Sequence, residues 1–141
     1  MEAQEKINHP KHYNNHPSGA EAVDIIRSFC FNIGNCFKYI FRRNDKNNTI
    51  DDLRKSIFYI DDELKRRRKY KYFIGLPNLL KYKEFINRSK LVNKVLEKEE
   101  DETIGLIYDY LNKADYNYRG IYYLLLAKIL ILSTIEKREN E

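Results

Sequence analysis

Hydrophobic residues recur along most of the chain at intervals of three and four, which is the spacing of amphipathic α-helices. The clearest case is a helix predicted from Thr49 or Asp51 to about Lys69, because one of its faces carries Leu53, Ile57, Ile60 and Leu64. The same periodicity predicts further helices over about 19–31, 34–44, 78–97, 102–113 and 116–137. We therefore expect an all-α protein, a compact helical bundle of about six helices.

Prolines and a capping motif shape the N-terminal part of this pattern. Pro10 and Pro17 exclude a continuous helix over residues 1–17, where we predict an ordered arm or loop. Ser18 and Glu21 match the Ser-x-x-Glu capping box, which predicts that the first helix begins there. We assign Ser18 no nucleophilic role, because no base is fixed beside it.

Two further stretches interrupt the helical pattern. Glycine and proline within 75–77 separate a motif-bearing helical region, 1–72, from a helical C-terminal extension, 73–141, which we expect to pack on it within one domain. The acidic run at 97–102 predicts a solvated connection between two helices of the extension.

The most informative stretch begins at Phe31 and ends at Lys46. At helical spacing, one face carries an amide, a phenol and two cations: Asn35, Lys38, Tyr39 and Arg42. The opposite face, which we expect to be buried, carries Phe37, Ile40 and Phe41. We predict that Gly34 and Asn35 open this helix, where free backbone N–H groups and the positive dipole end favour an anion. These features together suit the binding of phosphate groups.

Charged residues of the neighbouring predicted helices extend this surface into a cleft. Lys46 and Lys55 could neutralise phosphates together with Lys38 and Arg42. Three carboxylates could hold a magnesium ion or a nucleotide hydroxyl: Glu21, Asp24 and Asp52. A base could stack on Tyr39 or Tyr59. The alternative is that these residues are surface charges paired across helices.

Two common motifs are excluded, and a basic run has a simpler explanation. No phosphate-binding loop is present, because neither Gly-x4-Gly-Lys-Ser/Thr nor Gly-x-Gly-x2-Gly occurs among the glycines, which are Gly19, Gly34, Gly75, Gly105 and Gly120. The basic run Lys65–Lys71 complements the dipole at a helix end, and no recognition motif accompanies it. Nucleic acid is therefore not an expected partner.

Three histidines lie close together in the N-terminal arm. His9, His12 and His16 lack a cysteine or a fixed carboxylate that would complete a zinc site, so we predict no metal site. The arm could instead close over the cleft, with His12 and Tyr13 contacting a ligand. It could also be pinned by packing of these side chains alone.

Composition adds three constraints. A hydrophobic fraction of 43% indicates a folded chain, and a net charge of +5 favours anionic ligands. Cys30 and Cys36 lack the spacing of a metal or redox motif and are expected in the core, which fits a reducing cytoplasm. The most apolar segment, Ile121–Ile135, is shorter than the roughly twenty residues that span a bilayer. We expect no membrane association, and a homo-oligomer formed through this helix.

Four blocks of residues occur in an order that resembles a small tailed-phage family. The blocks are Asn8-His9-Pro10-Lys11-His12-Tyr13, Gly19-x-Glu21-x2-Asp24-x-Ile26, Gly34-Asn35-x2-Lys38-Tyr39-x2-Arg42-x3-Lys46 and Asp52-Leu53-x-Lys55-x3-Tyr59. The family is called SaV-like and is also described as a domain of unknown function. It includes a nucleotide kinase of a short-tailed coliphage that acts on deoxynucleoside monophosphates. The resemblance covers about residues 7–66, and Arg43-Asn44 stands where the family has a small residue and glycine.

The resemblance implies a (deoxy)nucleoside monophosphate kinase without a P-loop, active in the cytoplasm of an infected host cell. Its catalytic residues would be Lys38, Arg42 and Asp24, with Mg²⁺ as the expected cofactor. The nucleotide would be bound by His9, His12, Tyr13, Glu21, Gly34, Asn35, Tyr39, Lys46, Asp52, Lys55 and Tyr59.

Two other functions remain open. One is a non-catalytic protein that sequesters nucleotides, including signalling nucleotides of host defence. The other is an all-α NTP pyrophosphatase, which needs two pairs of carboxylates at helical spacing. Glu21 and Asp24 supply one pair, but Asp61, Asp62 and Glu63 are consecutive and cannot share one helix face.

Overall fold

The computed structural model describes residues 2–45, 48–69, 79–116 and 120–141. Within these ranges the chain forms seven α-helices and no strand, so the prediction of an all-α compact fold is confirmed. The helices are α1 (Glu2–Asn8), α2 (Ala22–Ile26), α3 (Phe31–Phe41), α4 (Thr49–Lys69), α5 (Leu79–Lys98), α6 (Glu102–Tyr116) and α7 (Gly120–Glu139). Lys46, the predicted break at 75–77 and the predicted boundary at residue 72 lie outside the described residues.

The helices pack in an order that brings both halves of the chain onto one core. Helix α3 packs on α4, α4 on α7, α7 on α6 and α6 on α5, while α2 packs against α3 and α5. The core is continuous, and its largest buried side chains include Phe37, Ile25, Leu53, Ile60, Ile104, Ile107, Tyr108 and Ile131. The rings of Phe37 and Tyr108 lie 4.6 Å apart between centroids and join α3 to α6.

Helix α4 begins and ends where the periodicity predicts. Leu53, Ile60 and Leu64 are buried and Ile57 is half-buried, as expected for the apolar face. Helices α5, α6 and α7 also begin and end within a few residues of their predicted ranges. No helix in the described ranges combines the length and apolar composition that crossing a membrane requires.

The first predicted helix is shorter than expected, because Ser18 does not cap it. Helix α2 begins at Ala22, and its N-cap residue is Glu21, whose side chain makes no capping hydrogen bond. The Ser18 hydroxyl instead lies 2.8 Å from His16 Nδ1 and accepts from the backbone N–H of Ala20. The capping-box prediction is therefore wrong. The arm before this turn holds α1 and a 3₁₀ turn, Lys11–Tyr13.

The helix that carries Asn35, Lys38, Tyr39 and Arg42 begins earlier than predicted. Its N-cap is Cys30, whose backbone N–H donates to Asp115 Oδ1 at 2.9 Å. Gly34 lies inside the first turn, and its N–H donates to the Cys30 carbonyl at 2.9 Å. A Cβ at Gly34 would lie 3.2 Å from the Ile26 carbonyl oxygen, so glycine permits close packing of α2 on α3. The prediction that Gly34 and Asn35 open the helix is wrong.

Candidate functional site

The predicted face of α3 meets the start of α4 through a bidentate ion pair. Arg42 donates from Nε and Nη2 to the two carboxylate oxygens of Asp52, both at 3.0 Å, and from Nη1 to Tyr13 Oη at 3.2 Å. Asp52 is buried, and Arg42 is nearly so. Burial would lower the pKa of Arg42, but the hydrogen bonds to Asp52 and Tyr13 outweigh it and raise that pKa. The guanidinium is therefore a fixed positive charge.

Three cations surround the ring of Tyr39. The distances from the ring centroid are 4.4 Å to Arg42 Cζ, 4.8 Å to Lys38 Nζ and 5.5 Å to Lys55 Nζ. Lys38 donates to Asn35 Oδ1 at 2.7 Å, while Lys55 Nζ lies 3.4 Å from Asp52 Oδ1. Cations over an aromatic face are stabilised by the ring quadrupole. Arg42 and Lys55 therefore share one carboxylate, Asp52, whereas Lys38 is held by the amide of Asn35.

Aromatic rings continue this site along the line where α3 packs on α4. Tyr59 stacks on Tyr39 with a centroid distance of 5.8 Å and an interplanar angle of 17°. Phe31 contacts Tyr59 edge-on at 6.0 Å, and Phe58 does so at 5.3 Å. Both phenylalanine rings are largely exposed. Planar exposed rings next to cations are suited to a base with attached phosphates.

The structure brings eight of the predicted site residues together through described contacts. We call them the Tyr39 cluster: Tyr13, Asn35, Lys38, Tyr39, Arg42, Asp52, Lys55 and Tyr59. The cluster carries a net positive charge, because its three cations outnumber its one carboxylate, and Lys38 and Lys55 reach solvent.

The other predicted site residues make different contacts. His9 Nδ1 lies 3.1 Å from both carboxylate oxygens of Glu21, and Asp24 accepts from Arg27 at 2.8 Å. Gly34 is buried in the contact between α2 and α3. Lys46 and the side chain of His12 lie outside what the structure describes.

The carboxylates predicted to bind magnesium do not form a shared site. Glu21 is paired with His9, Asp24 with Arg27, and both oxygens of Asp52 with Arg42. Within the described part of the chain, no group of three or more His, Cys, Asp or Glu side chains is placed to hold a metal ion. A magnesium ion shared by these three residues does not fit this arrangement.

A buried polar cluster next to the site was missed by sequence reasoning. Arg43 donates to Tyr108 Oη at 3.2 Å, to Glu99 Oε1 at 3.0 Å and to the Ile40 carbonyl at 3.1 Å. Burial would raise the pKa of Glu99, but His16 and Arg43 outweigh it and lower that pKa. The prediction of a solvated connection at 97–102 is wrong for Glu99, whose side chain is only 7% exposed. The available signal was Arg43 itself, a departure from the family pattern.

His16 attaches the N-terminal arm to this buried cluster. Its ring stacks on Phe41 at 5.0 Å, and Nε2 lies 3.5 Å from Glu99 Oε2. Nδ1 accepts the backbone N–H of Ser18 at 3.2 Å, which leaves Nε2 to carry the proton that faces Glu99. A base therefore does lie beside Ser18, contrary to prediction, but that base already accepts a backbone hydrogen bond within the same turn.

A third polar cluster holds the far ends of α3 and α4 together. Glu63 is buried and accepts from Arg66 at 2.6 and 2.9 Å, from Arg67 at 2.7 Å and from Asn32 at 3.2 Å. Burial would raise the pKa of Glu63, but the hydrogen bonds from Arg66 and Arg67 outweigh it and lower the pKa to about 2. Glu63 therefore stabilises the fold only while it is ionised.

Acidification is expected to remove that stabilisation. The pKa of Glu63 is lower in the folded state than the roughly 4.3 of an unfolded chain, so its contribution is complete above that pH and is lost as the pH falls toward 2. The loss is on the order of 3 kcal/mol. Urea denaturation at pH 7, 4 and 3 measures it. Glu63→Gln should be less stable at pH 7 and have a flatter pH profile, whereas the exposed Glu97→Gln should follow wild type.

The fold and the site define a small all-α protein with a cluster of cations and aromatic rings where α3 packs on α4. Residues 7–61 match the model of a protein family of unknown function, DUF3310, so the chain contains a DUF3310 domain over those residues. Every member of the Tyr39 cluster lies inside the matched range. No curated protein and no solved structure matches the chain.

Proposed function

We propose that the Tyr39 cluster binds the phosphate groups of a nucleotide. The observation that carries this proposal is the convergence of Lys38, Arg42 and Lys55 on one aromatic ring beside a single buried carboxylate. Charge-assisted hydrogen bonds from Lys and Arg are among the strongest contacts that a phosphate makes. Lys38 and Lys55 reach solvent and are placed to meet it first, while Asp52 keeps Arg42 in position.

The aromatic rings beside these cations offer a surface for the base. Phe31 exposes its ring next to Tyr59, and Tyr59 stacks on Tyr39. Phe31 precedes Lys38 by two helical turns, about 10 Å along α3. A nucleotide lying along α3 would thus place its base on the rings and its phosphates at the cations.

The activity that we propose is a phage-type (deoxy)nucleoside monophosphate kinase without a P-loop, working in the cytoplasm of the infected host cell. A phosphate oxygen of the monophosphate attacks the terminal phosphorus of a nucleoside triphosphate, and the bond from that phosphorus to the donor's bridging oxygen breaks. Two diphosphates result. Phosphoryl transfer depends mainly on positioning and charge neutralisation, which Lys38, Lys55 and Arg42 would supply. Any Mg²⁺ would arrive with the donor nucleotide, and no step uses a metal held by the protein.

Binding without turnover is the second function that a specific observation favours. Nε, Nη1 and Nη2 of Arg42 already donate to Asp52 and Tyr13, which suits a rigid binding frame. A protein of this kind would sequester nucleotides, including defence signalling nucleotides. An NTP pyrophosphatase has less support, because Asp61 is paired with Lys128 of α7 and Glu63 with Arg66 and Arg67 of α4, so these carboxylates already have cationic partners.

A nucleotide panel tests the proposal and separates its alternatives. The full chain is titrated calorimetrically with ribo- and deoxyribonucleoside mono-, di- and triphosphates, with and without Mg²⁺, and the incubated mixtures are then chromatographed. We expect binding and the conversion of a monophosphate to a diphosphate when a triphosphate is present. Tight binding with every nucleotide recovered intact would identify a sequestering protein. Release of pyrophosphate would identify a pyrophosphatase, and the absence of any binding would refute a nucleotide site.

A further inference from the structure

Helix α7 exposes a row of large apolar side chains. The exposed fractions are 60% for Tyr122, 39% for Leu125, 61% for Ile129 and 46% for Leu132. We call these four residues the α7 stripe. They follow one another at intervals of three, four and three residues, so they lie along one face of the helix.

The other faces of α7 are already used inside the chain. Leu124, Ala127 and Ile131 are fully buried, and α7 packs against both α4 and α6. The α7 stripe is therefore apolar surface in addition to a completed core contact. Alternation of three and four residues is the spacing with which apolar side chains of one helix interlock with those of another.

Neighbouring helices widen the α7 stripe at both edges. The ion pairs Asp61–Lys128 and Arg54–Glu139 join α4 to α7, and Phe58 lies between Asp61 and Arg54 on that side of α4. Phe58 is 66% exposed, so it extends the apolar surface beside Leu132.

Helix α6 widens the α7 stripe at its other edge through Leu106. Tyr110 and Lys113 both contact the ring of Tyr123, at 5.9 Å each, and Leu106 lies one turn before Tyr110 on the same face. Leu106 is 47% exposed. The apolar surface therefore runs from α4 across α7 to α6.

We propose that the α7 stripe, with Phe58 and Leu106 at its edges, is the interface through which two copies of this chain form a dimer. A second copy fits because a two-fold interface pairs the same patch on both subunits, and a stripe with three- and four-residue spacing can interlock with itself. The exposed apolar area is also close to what a dimer interface needs. With about 200 Å² for a fully exposed large side chain, the six residues offer on the order of 600 Å² per copy. A polar rim added to this reaches the roughly 800 Å² of a standard interface.

Sedimentation equilibrium of the full chain tests this proposal without any ligand. We expect a species of twice the chain mass at micromolar concentration. Ile129→Glu and Leu125→Glu should each weaken the dimer at least about 100-fold, since each places two unpaired carboxylates in an apolar interface. Both side chains are exposed in the single chain, so far-UV circular dichroism should show unchanged helix content.

Ile86→Glu is the matched control, because Ile86 is partly exposed on α5, which packs against α6 and α2. This variant should remain a dimer. The proposal is overturned if the wild-type chain sediments as a monomer at 100 µM, if the dimer survives Ile129→Glu, or if Ile86→Glu dissociates it to the same extent. Each of these results is independent of nucleotide binding, so failure here leaves the proposed function untouched.

Discussion

Replacing Arg43 by methionine is expected to lower the free energy of unfolding by about 3–5 kcal/mol. The substitution keeps most of the side-chain volume but removes the guanidinium that donates to Glu99 and Tyr108. Glu99 would then be a carboxylate with a buried side chain whose remaining side-chain partner is the imidazole of His16, at 3.5 Å. Loss of one partner of a buried ion pair costs more than the pair itself contributes, because the other charge stays desolvated. Urea denaturation at pH 7 measures the change.

Two variants make this expectation specific. Arg54→Met removes an exposed arginine of the Arg54–Glu139 pair and should cost less than about 1 kcal/mol. Adding Glu99→Gln to Arg43→Met should recover part of the loss, because the buried charge is then gone. Equal effects of Arg43→Met and Arg54→Met, or a fully additive double variant, would contradict the idea that the buried charge is responsible.

The importance of Arg43 follows from how the two parts of the chain meet. Arg43 lies inside the DUF3310 domain at residues 7–61, but Glu99 and Tyr108 lie outside it. The tailed-phage family that the sequence resembles has a small residue at the position of Arg43, and such a side chain could not reach Glu99 or Tyr108. The side chain of Arg43 therefore ties the end of α3 to α6 and to the connection before it. This contact depends on residues about 60 positions away, and local sequence rules cannot detect it.

Helices were predictable where local spacing determines them. The α4 face of Leu53, Ile60 and Leu64 required only the 3.6-residue period, and its limits followed. The starts of α2 and α3 were not predictable in this way. The hydroxyl of Ser18 is hydrogen-bonded to His16 and does not cap α2. The N–H of Cys30 donates to Asp115, which lies 85 residues further along the chain. Such tertiary partners override capping preferences that are read from adjacent residues.

For the candidate site, local spacing predicted which residues share one face of α3, but it did not predict the contacts between α3 and α4. Asn35, Lys38, Tyr39 and Arg42 share a face because they belong to one helix, and the structure places them together. The register between α3 and α4 was not visible in the sequence, so Asp52 was expected at a metal or a hydroxyl. It instead neutralises Arg42. This changes which cations are best placed for a ligand, and it determines how the site should be tested.

Replacing Lys38 and Lys55 together by alanine is expected to weaken nucleotide binding at least 100-fold, about 3 kcal/mol. Each lysine would contribute a charge-assisted hydrogen bond to phosphate, worth about 1.5–3 kcal/mol. Both side chains reach solvent, so their loss should change the free energy of unfolding by less than about 0.5 kcal/mol each. Arg42→Ala is less informative, because it would leave Asp52 buried without its main partner. Calorimetric titration with the tightest nucleotide of the panel measures the effect.

Lys90→Ala with Lys94→Ala provides the matched control for this experiment. These lysines are exposed on α5 at a spacing of four residues, and their removal lowers the net charge of +5 by the same two units. Long-range attraction depends on net charge, so it would weaken equally in both double variants and would be screened by salt. Contact at the Tyr39 cluster would weaken only in the variant that lacks Lys38 and Lys55. Equal losses would mean that the nucleotide senses the charge of the whole protein, and no loss in either would place its site elsewhere.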